Sequence, residues 1–229
     1  MRPVDGKAQV NRKKTSRRFT YDHKEMLSLD IAFPEVRMNH NALAQTRINL
    51  RIRRETRQFE SFVKNTMVKD AIDEYRNSQK NGYPFRPYGA AMDYTITLNQ
   101  GCTLSLYYDQ YTYTGGAHGS TVRLSDTWSL KTGRIIRLED LFPRGINWRR
   151  LIIEQILKQA DANMKSNPGI YFHDYRTLIA KTFDPDSFFL TPNGLNIYYQ
   201  QYDIAPYAVG IVVFEIPYAN LGIRRPDCQ

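Results

Sequence analysis

Two periods run through the chain. Between about residue 42 and Ser78, Ile48, Ile52, Phe59, Phe62 and Val63 recur three, four and seven residues apart, while Arg51, Arg54, Arg57 and Lys64 fall elsewhere. Such spacing puts an apolar stripe on one side of a helix. Asn39–Asn41 stand before it with N-cap chemistry. Trp148, Ile152, Ile156 and Ala160 lie four apart, widened by Ile153 and Leu157, and predict a second helix that Asn167, Pro168 and Gly169 end. Asp174 is placed to cap a third, through Thr182, with Leu178 and Phe183 turned inward.

The other period is two. Glu25–Phe33 reads as a strand stopped by Pro34. Tyr88–Asn99 and Cys102–Tyr113 read as a hairpin about Asn99–Gly101; in the second, Cys102, Leu104, Leu106 and Tyr108 alternate with polar or exposed positions. Thr121–Leu130 follows, turned by Lys131–Gly133 into Arg134–Leu138. Asn193 and Gly194 join Ser187–Leu190 to Leu195–Gln201. Val209–Ile216 is almost continuously apolar and predicts a strand covered on both faces. The order β-α-β-β-β-β-α-α-β-β lacks regular alternation, which implies an α+β fold: an antiparallel sheet with helices packed on one side. The expected divisions are a basic flexible tail at 1–18, a small β-α subdomain at 19–87 and an α+β domain at 88–229, separated by the Gly/Pro loop Asn81–Pro87.

Charge refines this picture at one end. Of a net +9, residues 1–18 hold +6, with Arg2, Lys7, Arg12, Lys13, Lys14, Arg17 and Arg18 against Asp5. A disordered tail that contacts an anionic polymer or membrane surface is the expectation. The remainder is too weakly basic for a nucleic-acid-binding patch. The 229 residues, 41% hydrophobic with 16 Tyr, suffice for a sizeable core. The longest apolar run, Ala208–Phe214, is too short to span a bilayer. No apolar segment follows the basic start, so either the protein stays in the cytoplasm or the chain lacks its export segment. Cys102, in a strand-like run, reads as a small buried residue, and Cys228 stands near the end; a disulfide between them is one option, and two cysteines leave the redox compartment open.

Catalytic patterns are missing. His23, His40, His118 and His173 have no second ligand at metal spacing, so neither a metal nor another cofactor is expected. Ser120 beside His118 is not a nucleophile elbow. Glu139 with Asp140, and Asp184 with Asp186, are sequence neighbours that cannot by themselves face each other across a cleft; Asp140 and Asp184 are expected to bind local backbone N–H groups. No catalytic residue is assigned. Two segments remain as candidate binding elements. In the first, Gly115 and Gly116 leave room for a ligand, with Tyr111, Tyr113 and His118 lining the spot. In the second, Pro206 stiffens a loop tipped by Tyr202 and Tyr207. Each also has a purely structural reading, as a turn and as a packed connection.

Larger blocks carry a resemblance. The aromatic strand with Gly115–His118, then Trp128–Gly133, Leu138–Phe142, Phe188–Leu190, Leu195–Tyr199, Tyr202–Gly210 and Ile216–Pro217 together resemble the RsiV-like family, the extracellular half of RsiV-type anti-sigma factors. Glu25 to about Ser78 resembles the smaller domain that precedes it, a pairing also seen ahead of the catalytic domain in PdaC-type proteins. The resemblance implies an α+β fold, a place on the surface of Gram-positive bacteria and, for RsiV itself, capture of lysozyme. Neither a sigma-binding segment nor a deacetylase domain is expected within these residues. The expected function is a non-catalytic cell-envelope domain that recognises a protein or glycan. The alternatives are a lysozyme-binding sensor or inhibitor and an enzyme acting on peptidoglycan.

Overall fold

The computed structural model describes residues 6–224, 226 and 228. The fold is α+β, with two sheets. Five strands lie in the order β1 (Gln9–Tyr21), β2 (Lys24–Arg37), β3 (Tyr88–Gln100), β4 (Thr103–Tyr113) and β5 (Ser120–Ser129). Three more form β6 (Phe188–Leu190), β7 (Gly194–Tyr199) and β8 (Val212–Pro217). The chain divides into two compact units, named here for their principal helices. The α1 unit holds Gln9–Tyr94 and Tyr108–Val122; the α3 unit holds residues 6–8, Thr95–Tyr107 and the described residues from Arg123 onward. The change of unit therefore falls within β3, not in the Asn81–Pro87 loop.

In the α1 unit, β1 corrects the expected tail: residues 9–18 are strand, while residues 1–5 lie outside those described. β1 pairs antiparallel with β2 from Gln9 opposite Arg37 to Tyr21 opposite Lys24. Its cations meet acids on neighbouring elements: Arg12 with Asp93 at 2.6 Å, Lys13 with Glu35 at 3.5 Å, Arg17 with Glu60 at 2.8 Å and Arg18 with Asp30 at 3.4 Å. A charge count in sequence cannot distinguish a solvated basic run from one side of an ion-pair ladder. The charges also suit an edge strand, where they discourage pairing with other chains.

β2 runs past Pro34 to Arg37, because Pro34 lies opposite Arg12 on a strand with only one continuous neighbour at that point. β2 and β3 pair in parallel from Leu27–Tyr88 to Ile31–Met92, so the sheet is mixed and not antiparallel throughout. Beyond that pairing, the Asn49 side chain donates to the Val36 carbonyl at 2.8 Å and accepts its N–H at 2.9 Å. One amide thus satisfies both backbone groups of Val36.

α1 (Ala42–Phe62) starts where Asn41 Oδ1 accepts the Ala44 N–H. It buries Ala44, Ile48, Ile52, Thr56 and Phe59 and packs on β2. Phe62 corrects the predicted stripe: it is exposed. A π-helical segment, Val63–Met67, joins α1 directly to α2 (Val68–Asn81), so the helical path runs unbroken for about eleven turns.

In the α3 unit, α3 (Trp148–Ser166) is capped by Asn147, whose Oδ1 accepts the Arg150 N–H. It buries Ile152, Ile156 and Ala160 against β8. α4 is Tyr175–Lys181, and its inward residue is Ile179, with Leu178 only partly buried. β7 is buried along its whole length. It takes the central place predicted for Val209–Ile216; β8, at the edge, buries alternate residues only, leaving Val213 and Glu215 outward. Tyr199 crosses Phe214 edge-on at 6.0 Å and donates its hydroxyl to the Ile179 carbonyl. Inside the same unit, Ser105 Oγ lies 2.7 Å from Thr127 Oγ1 and accepts the Leu190 N–H. Cys102 corrects the strand reading as well. It occupies the β3–β4 turn at φ +56°, and its sulfur is bonded to Cys228. Its backbone N–H is held by the Gly6 carbonyl at 2.8 Å and its carbonyl by the Leu130 N–H at 2.8 Å.

Candidate functional site

The two candidate elements fall in different units, and each is built differently. In the α1 unit, β4 delivers Tyr111 and Tyr113 to a turn that β5 leaves at Ser120. Tyr113 donates its hydroxyl to the Gly116 carbonyl at 3.0 Å. His118 is exposed, and its Nδ1 lies 3.0 Å from the Gly119 carbonyl, a bond that places the proton on Nδ1. Gly115 has φ +82°, which glycine adopts at little cost. A Cβ on Gly119 would lie 2.3 Å from the Tyr111 ring, so that aromatic ring rests directly on the glycine. Much of the glycine content therefore builds the turn. Gly116 alone of the predicted pair faces open space.

Beside Gly115 lies a cleft of about 280 Å³ lined by Glu74, Tyr83, Pro84, Arg86, Tyr88 and Thr114. Its polar groups are ordered. Tyr83 donates to Glu74 Oε1 at 2.9 Å and accepts from Asn77 Nδ2 at 2.7 Å. Desolvation, then the bond to the Glu74 carboxylate, raises the Tyr83 hydroxyl above its ordinary pKa, and burial does the same to Tyr88. Behind the cleft, Tyr21, Tyr75, Phe85 and Tyr88 make successive ring contacts of 6.4, 5.5 and 6.3 Å. The cleft residues came from the 82–88 loop and α2, which sequence reading treated as boundary and helix surface. The signal is present in Tyr83, Phe85 and Tyr88, aromatic residues interleaved with Pro84, Arg86 and Pro87.

In the α3 unit, Tyr202 is 55% exposed and has φ +69°. Tyr207 stands beside it, ring centroids 5.9 Å apart, and Pro206 is exposed between them in the chain. The loop is anchored from both sides. Gln200 N–H donates to Asp203 Oδ2 at 2.7 Å, and Asp203 N–H returns to the Gln200 carbonyl at 3.1 Å. The Gln200 side chain exchanges two bonds with the Arg123 backbone, at 2.9 and 2.7 Å. Ile204 and Ala205 are buried, and the Ile204 carbonyl accepts the Phe172 N–H at 3.0 Å. Burial raises the Asp203 carboxyl, against the Gln200 bond that lowers it.

The carboxylate pairs behave as their local chemistry suggests. Asp140 accepts the Arg137 N–H at 2.8 Å, and Asp184 accepts the Asp186 N–H at 2.9 Å and the Ser187 hydroxyl at 3.2 Å. Among the described residues, no three His, Cys, Asp or Glu side chains are grouped to hold a metal ion. No helix of the described residues is long and apolar enough to cross a membrane.

Comparison with known proteins follows the same two blocks. Residues 21–121 match the family model described as deacetylase PdaC, and residues 139–219 match the one described as a protein of unknown function, DUF3298. Among solved structures, a member of the DUF3298 family from Bacteroides fragilis is similar with a TM-score of 0.74 at 18% identity, over 97% of this chain and 96% of that one. A DUF3298 family protein from Pseudomonas aeruginosa is similar with a TM-score of 0.64 at 17% identity, over the same shares. At such identity the likeness concerns the fold. No protein of curated function matches the chain in sequence.

Proposed function

We propose that the chain is a non-catalytic recognition domain of the cell envelope, capturing a protein or glycan ligand through the Tyr202–Tyr207 loop; the cleft beside Gly115, in the other unit, is a separate candidate element. One observation carries this reading. A bulky, exposed Tyr holds a left-handed backbone conformation that disfavours any side chain by about 1–2 kcal/mol. Glycine would fill the position without that strain, so the retained ring has a use outside folding. Its neighbours fix it in place, which lowers the entropy lost when a partner docks.

The disulfide between Cys102 and Cys228 supports the compartment, since such bonds persist outside the reducing cytosol. The match of residues 21–121 to the model described as deacetylase PdaC supports kinship with PdaC-type proteins, and the resemblance to the RsiV-like family makes lysozyme one ligand to try. The test is co-sedimentation with purified peptidoglycan sacculi and, separately, affinity measurement against immobilised hen lysozyme. Tyr202→Ala and Tyr207→Ala should weaken capture at least about tenfold, as aromatic anchors do, while the thermal midpoint holds. Equal capture by both variants would refute the loop as the contact. Release of acetate or reducing ends from the sacculi would replace the reading with an enzymatic one.

A further inference from the structure

The strongest unassigned surface is the outer face of α1. Its core-facing stripe is Ala44, Ile48, Ile52, Thr56 and Phe59. Half a helix turn away, residues 43, 50 and 57 repeat at seven, and 47, 54 and 61 follow beside them. That outer row reads Leu43, Arg47, Leu50, Arg54, Arg57 and Ser61, all exposed. Leu43 is 62% and Leu50 59% exposed, more than any other large hydrophobic residue described. From residue 42 to 69 the chain has seven cations and two acids. Both acids are already engaged: Glu55 with Arg51 at 3.3 Å and Glu60 with Arg17 at 2.8 Å. The positive charge expected of a tail is thus balanced along β1 and left in excess on α1.

We infer that this face lies against an anionic lipid surface, Leu43 and Leu50 entering the headgroup boundary while Arg54 and Arg57 meet lipid phosphates. Both halves of the pattern select that occupant. Arginines alone would suit any polyanion, but a soluble polymer offers nothing to two exposed leucines one heptad apart. The headgroup boundary offers anions and hydrocarbon within one side-chain length. Arg also brings a forked donor set that matches phosphate oxygens in pairs.

The experiment is sedimentation of the whole chain with vesicles of phosphatidylglycerol and phosphatidylcholine in equal parts, against phosphatidylcholine alone. The variants are Leu43→Ser with Leu50→Ser, and Arg54→Gln with Arg57→Gln; all four side chains are exposed, and far-ultraviolet circular dichroism checks their folding. Binding to the anionic vesicles only is expected, falling roughly tenfold in either double variant. Soluble polyglutamate should compete weakly, and the Leu variant should bind it as the parent does. Three results would overturn the inference: no binding to anionic vesicles, vesicle binding unchanged by loss of the leucines, or polyglutamate displacing the protein from vesicles. The last two would assign the face to an acidic protein or polymer.

Discussion

The Gly115 turn and the Tyr202 loop solve the same backbone problem with opposite residues. Both put a residue in the left-handed region, at φ +82° and φ +69°. At Gly115 the chain uses the one residue that sits there comfortably, where an added Cβ would lie 3.4 Å from the Arg86 carbonyl oxygen. At Tyr202 it accepts strain and points the ring to solvent. A glycine in such a position speaks of construction. On the proposed reading a tyrosine there is kept for its side chain, which is why the loop, and not the more conspicuous glycine motif, carries the proposed function.

The units around them are held differently too, and this is where the largest effect is expected. The α3 unit has a covalent staple between residues 126 apart in sequence. Reduction, or Cys228→Ser, should lower its stability by about 4–5 kcal/mol in the chain-entropy picture, less where the reduced chain retains structure. Denaturant unfolding followed by Trp148 and Trp128 fluorescence reads that unit, since both tryptophans belong to it. A shift smaller than about 1 kcal/mol would make the staple incidental and weaken the argument for an oxidising compartment.

Next come the glycines against the tyrosine. Gly119→Ala drives a methyl into the Tyr111 ring and should cost about 1–3 kcal/mol. Gly115→Ala should cost about 1–2 kcal/mol through backbone strain alone. Tyr202→Gly runs the other way: relief of similar strain offsets the added chain entropy and the lost Tyr207 contact, leaving stability within about 1 kcal/mol of the parent. Thermal melts of the three variants rank them. If Tyr202→Gly proves as damaging as the glycine substitutions, the ring is a packing element and the contrast collapses.

What the sequence revealed, and what it hid, divides along the range of the interactions. The Ile48–Ile52–Phe59 stripe, the Asn41 cap, the Asn193–Gly194 turn and the backbone roles of Asp140 and Asp184 are local, and local pattern found them. The strand at Gln9–Tyr21 is set by its antiparallel pairing along β2, and its cations meet acids at positions 30, 35, 60 and 93, partners that no short window of sequence around β1 contains. The parallel pairing of β2 with β3 spans the whole α1–α2 helix and is hidden for the same reason. Of the candidate site, the aromatic residues were named from sequence, but the property that distinguishes Tyr202 from the other tyrosines is a dihedral angle. Nothing in its residue type signals that, since a Tyr gives no hint of positive φ.

The smallest expected effect lies in those same ion pairs, the counterpart in the α1 unit of the staple in the α3 unit. Burial would push the Asp93 carboxyl up, but bonds from Arg12 and the Tyr94 N–H, with the charge of Arg12, outweigh it and leave the pKa below the ordinary value. A carboxyl lowered on folding adds stability above its unfolded pKa of about 3.9 and loses it as pH falls through the folded value. The pair is open to water, with Arg12 42% and Asp93 60% exposed, so screening reduces the contribution to roughly a few tenths of a kcal/mol. Asp93→Asn should therefore lower stability by that little at neutral pH, and the gap to the parent should close as the solution is acidified below about pH 4. High salt should close it as well. A gap that persists in acid would mean that the substitution disturbs the β3 backbone at Tyr94, and that the ladder on β1 is held by strand pairing and not by charge.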